Sequence, residues 1–252
     1  MGGMVLFFPE IMMKKIILTL SLLLGLVSGL TFRAAAQNAA FLDGEEELVY
    51  SIRHNLFPGN IGTMTFHGRG EGSNYRVDAA LKASIAGIYS LDCSYASTFR
   101  KDPDLTPISA SRSQTEKKYW AKGTYTWSAP GSVHMYVTKS TRDPRNEDLL
   151  WSGTVRDLLG MIWWLRTLDY SRPGLVTGDN ALLLDHDALP VTVASYTKGT
   201  LKYKGEQRPV IEVVLSQQDK EALRVTLTDD ASRRLLKFSI ALSFGTIRGT
   251  LK

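Results

Sequence analysis

From Leu48 onward the chain alternates apolar and polar residues with a period of two, the pattern of strands with one buried and one wet face. Leu48, Tyr50 and Ile52 alternate with Val49, Ser51 and Arg53, and Met64 and Phe66 alternate with Thr63, Thr65 and His67. Tyr75, Val77, Ala79 and Leu81 oppose Arg76, Asp78 and Lys82, while Leu91, Cys93, Tyr95 and Phe99 oppose Asp92, Ser94, Thr98 and Arg100. The pattern returns at Val133, Met135 and Val137, at Ile211, Val213 and Leu215, and then in three successive runs, Leu223 to Leu227, Leu236 to Leu242 and Ile247 to Leu251. Turn chemistry separates the runs at Pro58-Gly59-Asn60, Gly70-Glu71-Gly72, Asp102-Pro103-Asp104, Pro130-Gly131, Lys204-Gly205-Glu206 and Asp229-Asp230.

Strands with one polar face and short connections pair as antiparallel meanders, whereas doubly covered parallel sheets show continuous apolar runs. Ten or more such strands must curl, close or split into two layers. The expected fold is mainly β: a curved antiparallel sheet forming a half-barrel or barrel. A curled sheet encloses a space, and that space is the natural place for a ligand.

One segment changes period. Between Thr154 and Leu168, Val155, Leu158, Met161, Ile162, Leu165 and Leu168 fall on one helical face, and Thr154 with Asp157 resembles a capping box. This predicts a single helix over about 155–168, of about 14 residues and about 21 Å, packed across the sheet or plugging it. Leu159, Trp163 and Trp164 interleave with Arg156, Gly160, Arg166 and Thr167 on the other face, so the helix is expected to have contacts on both sides. The two indoles either fill the core between helix and sheet, or line an apolar cavity or touch a membrane. Arg172-Pro173-Gly174 ends the excursion.

The N-terminal region has a different character. Lys14 and Lys15 precede the apolar run Ile16 to Leu30 and the small-residue site Ala34-Ala35-Ala36, the order of a secretory signal. Residues 1–36 are therefore expected to be an upstream extension plus cleavable signal peptide, with Met12 or Met13 a more conventional start, and 37–252 a single β-rich exported domain. The run is shorter than a spanning helix needs, and no cysteine near the cleavage site offers a lipidation acceptor. The expected location is periplasmic. Removing three cations and one anion with the signal takes the formal charge from +5 to +3, too little to argue for nucleic acid.

The sequence has no nucleophile elbow, His-Glu-x-x-His, P-loop or dinucleotide fingerprint, and no Cys/His pair has metal-ligand spacing. No catalytic residue, cofactor or metal site is expected. Asp185-His186-Asp187 reads as a polar loop, since neighbours on a strand cannot converge. His54 and His67 lack a third ligand, and Glu45, Glu46 and Glu47 read as a polar lead rather than an acid/base pair. Cys93 shares a register with Leu91 and Tyr95 and reads as a small buried hydrophobe.

The run Arg156-Asp157-Leu158-Leu159-Gly160-Met161-Ile162-Trp163-Trp164-Leu165-Arg166 resembles the Asp-x-Leu…aromatic-aromatic-Leu-Arg segment of an uncharacterised exported family of Gram-negative bacteria. Gly44-Glu45-Glu46-Glu47-Leu48-Val49-Tyr50 is similar to that family's opening, and Thr228-Asp229-Asp230 and Phe244-Gly245-Thr246-Ile247 to its ending. Leu235-Leu236 departs from the proline often found after the Asp-Asp turn. The resemblance implies a β-rich periplasmic domain of unknown function with one helix, similar in architecture to periplasmic lipoprotein carriers. That likeness makes a lipid or acyl chain the leading ligand class, held without catalysis, with Tyr50, Trp163 and Trp164 giving apolar contact. Arg166 either meets an anionic headgroup at the mouth or forms an ion pair tying the helix to the sheet. The alternative is an envelope structural or interaction protein with a packed interior, which binds an envelope protein or membrane surface through its outer face. A hydrolase with residues gathered from distant strands is the third reading.

Overall fold

The computed structural model describes residues 39–85, 89–171, 178–184, 186–242 and 245–252. The expected signal segment, the Arg172-Pro173-Gly174 turn, Asp185 and Phe244 lie outside the described residues. Among those that are described, no helix is long and apolar enough to cross a membrane.

The alternating runs form strands of one sheet. The first half comprises β1 (Glu45–His54), β2 (Phe57–Glu71), β3 (Asn74–Ile85), β4 (Tyr89–Arg100), β5 (Pro107–Glu116), β6 (Tyr119–Ala129), β7 (Ser132–Lys139) and β8 (Arg142–Leu150). Then come β9 (Thr154–Arg156), helix α1 (Leu158–Thr167), β10 (Asn180–Leu184), β11 (Asp187–Tyr203), β12 (Glu206–Gln217), β13 (Lys220–Thr228), β14 (Leu235–Leu242) and β15 (Gly245–Leu251). The order across the 15-stranded sheet is β8-β7-β6-β5-β4-β3-β2-β1-β15-β14-β13-β12-β11-β10-β9. The chain thus starts at the middle, runs out to one edge, crosses to the other edge and returns, so that β15 lies beside β1. Tyr50 pairs with Leu251 and His54 with Ile247 along that seam.

Neighbouring strands are antiparallel except β9 and β10, where Thr154, Val155 and Arg156 face Asn180, Ala181 and Leu182 in parallel. A parallel pair needs a long crossover, and the segment that contains α1 supplies it. The β9 edge meets the β6–β7 turn rather than the other edge strand, β8. Val155 N–H donates to the Pro130 carbonyl at 2.9 Å, and Trp151 N–H donates to Gly131 at 2.8 Å. The Trp127 indole N–H donates to the Val155 carbonyl at 2.9 Å. A Cβ at Gly131 would run into the Trp151 and Gly153 carbonyls, so only glycine permits this approach. The result is a curled, barrel-like sheet that stays open.

The helix starts later than its sequence predicts. Thr154, Val155 and Arg156 are strand, and the cap is Asp157, whose carboxylate accepts from Leu159 N–H and Gly160 N–H at 2.9 and 3.2 Å. The capping-box reading fails because the parallel ladder with β10 claims the residues it needs as its first turn. Leu159 to Thr167 are all buried. A helix buried all round is a core element, and α1 lies inside the curled sheet against β4, β9 and β10. Trp163 packs edge-on to Phe66, with ring centroids 5.5 Å apart, and Phe66, Tyr50 and Phe238 continue the cluster at 5.2 to 5.8 Å.

One turn expectation also changes. Pro58-Gly59-Asn60 lies within β2, and the reversal falls at Asn55-Leu56. Gly59 takes φ 79° there, which bends a strand rather than ending it.

Candidate functional site

The four residues singled out as ligand contacts come together, but inside the fold. Tyr50, Trp163, Trp164 and Arg166 are between 0% and 4% exposed. Tyr50 donates to the Leu235 carbonyl at 2.7 Å, and burial pushes its phenol well above the ordinary range. Arg166 pairs with both oxygens of Glu46 on β1 and donates through Nε to the Arg233 carbonyl at 2.9 Å. Its guanidinium also lies 3.8 Å from the Phe41 ring centroid and 5.1 Å from that of Trp163. Of the two roles open to Arg166, these contacts are those of a tie between helix and sheet. Trp164 stacks under the guanidinium of Arg156, 4.9 Å away. A ligand would reach this group only if α1 moved.

Arg156 is a second interior cation. It donates to the Leu105 carbonyl at 2.9 Å and to Asn180 Oδ1 at 3.3 Å. Burial pushes its pKa down to about 10, so it stays charged at neutral pH. Its partners come from β9, β10 and the β4–β5 connection, which it stitches together.

The other sequence candidates separate. His67 pairs with Glu45 at 2.6 Å on the wet side of β2, while His54 is buried and faces Phe57 across the hairpin. Glu45, Glu46 and Glu47 belong to β1 rather than to a lead, because their partners Arg69, Gly68 and His67 continue the ladder. His186 sits in the β10–β11 turn, 3.7 Å from Asp187. Burial pushes the Cys93 thiol up to about 11, as expected of a packed hydrophobe. Among the described residues no group of three His, Cys, Asp or Glu side chains is placed to hold a metal.

The accessible feature lies on the opposite face of the sheet. Across β1, β15, β14 and β13 the register aligns Arg53, Arg248, Ser239 and Arg224 in one row. The next row holds Ser51, Thr250, Lys237, Thr226 and Glu212. All of these but Ser51, together with the β1–β2 turn, wall a recess of about 660 Å³, lined by Arg53, Arg224, Lys237 and Arg248 and by Glu212 and Glu221. That volume is within the range of small-molecule sites. Below it, Gly249 leaves room for the Phe238 ring to lie against the β15 backbone.

The charges in the recess are unequal. Glu212 and Glu221 both pair with Arg224, and those bonds hold Arg224 charged and Glu221 below the usual carboxylate range. Arg53, Lys237 and Arg248 have no ion pair among the described residues; Glu221 attracts Arg248 only at longer range. Arg53 and Arg248 are also direct cross-strand partners. Like charges placed opposite each other carry a local cost in a sheet, and here that cost falls where the recess opens. Sequence reasoning saw these residues only as the wet faces of separate strands. Their convergence depends on the β1–β15 seam, which periodicity does not reveal.

The fold and the recess together define a barrel-like β protein plugged by its own helix, with an open polar site outside the core. The chain belongs to a family described as a protein of unknown function (DUF3108), whose model matches residues 49–252. Its fold is similar to that of a solved structure, the β-barrel-like protein of domain of unknown function DUF1849 from Brucella abortus, with a TM-score of 0.51 at 11% identity. That match covers 83% of this chain and 96% of the other, and it shows the fold alone. No curated protein matches the chain. No catalytic family is indicated.

Proposed function

We propose that this is an exported, non-catalytic binding protein of the cell envelope that takes an anionic ligand in the recess on β1 and β12–β15. The observation that carries the reading is the row Arg53–Arg248 with Lys237 beside it: three cations on one cavity with no ion pair among the described residues. Ser239 and Thr250 add hydroxyl donors, which suits a phosphate or carboxylate group. The buried helix supports binding on the outer face over carriage in the interior, because Trp163 and Trp164 already occupy the space an acyl chain would fill. The signal-like N-terminal segment supports export.

Isothermal titration of the purified protein with inorganic phosphate, glycerol phosphate and a dicarboxylate tests the reading. Binding by at least one anion, weakened about tenfold or more in Arg248→Gln, is the expected result, since charge-assisted hydrogen bonds contribute about 1.5–3 kcal/mol each. Failure of all three anions to bind overturns it.

A further inference from the structure

The β1–β2 hairpin places two apolar side chains at the rim of the recess. Leu56 is 66% exposed and Phe57 39%. Phe57 lines the recess together with Arg53 and Arg248, and Leu56 precedes it in the turn. The hairpin is firmly held: Asn55 N–H donates to the Thr246 carbonyl at 3.1 Å, and Asn55 Oδ1 accepts from Thr246 N–H at 2.8 Å. His54 packs on Phe57 with ring centroids 5.3 Å apart. The apolar tip is therefore fixed in place beside the cations.

Isolated exposed hydrophobic residues are ordinary. What distinguishes this pair is its neighbourhood: a lipid interface takes up apolar side chains just below the level at which its phosphates meet cations. We propose that the hairpin and the recess form one docking surface for an anionic phospholipid membrane. Leu56 and Phe57 enter the interfacial layer, and Arg53, Lys237 and Arg248 meet headgroup phosphates. Arg224 with Glu212 and Glu221 contributes one net negative charge to the wall, so the recess lining stays cationic through Arg53, Lys237 and Arg248. The inference rests on the anion-binding reading and adds the source of the anion.

Cosedimentation with vesicles of phosphatidylglycerol and phosphatidylcholine, against phosphatidylcholine alone, is the test. The protein is expected to pellet with the anionic vesicles only, and less so at high salt. Arg248→Gln is expected to weaken binding about fivefold, since a basic residue near an anionic surface contributes about 1 kcal/mol. The variant Leu56→Ser alters an exposed side chain of the turn that does not line the recess, and it is checked for folding by its thermal melt. It is expected to weaken vesicle binding while leaving titration with soluble glycerol phosphate unchanged. Vesicle binding unaffected by Leu56→Ser overturns the docking surface. Glycerol phosphate binding without vesicle binding also overturns it and leaves the anion site standing. Binding of neither the vesicles nor any of the three soluble anions overturns both readings.

Discussion

Arg166 reaches from the helix to a carboxylate on β1, to the carbonyls of Ser232 and Arg233, and to the faces of two aromatic rings. Truncating one partner of a buried pair leaves the other charged and unmatched, at a cost of about 3–5 kcal/mol. Arg166→Ala is therefore expected to lower unfolding stability by about that amount in urea titration. Arg166→Lys keeps the charge but not the planar fork that grips Glu46, and so recovers only part of it. The opposite sign is expected in the recess. Arg248→Thr removes the like-charge pairing with Arg53 and is expected to gain about 0.2–1 kcal/mol of stability while losing anion affinity, a trade that a purely structural arginine would not show. Cys93 supplies a probe of the whole fold. With its thiol buried and pushed up to about 11, alkylation at neutral pH is expected to follow unfolding rather than surface exposure.

Elements were legible where one face is buried and one is wet. β1, β3, β7, β12, β14 and β15 follow that alternation in sequence and structure, while β13 is buried on both faces from Val225 to Thr228. β8 is a different case: Arg142 to Leu150 is exposed along almost its whole length, so no burial pattern was there to read. Its charges and Pro144 suit an edge strand that avoids pairing with other chains. β11 is also largely exposed on both faces, and β10 is too short to display a period. The helix was legible in composition but not in extent, because a three-residue strand precedes its true cap. Asp157 now has a specific consequence. Its carboxylate accepts from two helix N–H groups and from the Ser97 hydroxyl at 2.7 Å. Asp157→Ala is expected to cost about 0.5–2 kcal/mol as a lost cap, measured by urea titration, and Asp157→Asn less.

At the scale of the whole molecule, acid stability follows from carboxylates held by cations. For Asp78 and Asp229 burial opposes ionisation, but hydrogen bonds from Arg76 and Arg69, and from Arg233 and Lys198, outweigh it and hold both below the usual range. Glu221 is lowered chiefly by Arg224. Groups with depressed folded pKa values stabilise the fold above their unfolded values near 4, and that contribution disappears as pH falls through the folded ones. Thermal stability is expected to change little between neutrality and about pH 5 and to fall below about pH 4. The candidate site was invisible at this scale in the sequence, since Arg53 and Arg248 are partners only because the sheet places β15 beside β1.

That seam also sets an order of events. The eight strands from β1 to β8 form a continuous ladder from neighbours in sequence, each strand finding its partner across a short turn. Along its other edge β1 must wait for β15, so the seam between them stays open until that strand has emerged. Until then β1 offers a bare row of amide and carbonyl groups, and the anion recess, whose walls come from both sides of the seam, does not yet exist. The proposed binding site and the β1–β15 seam therefore arrive together.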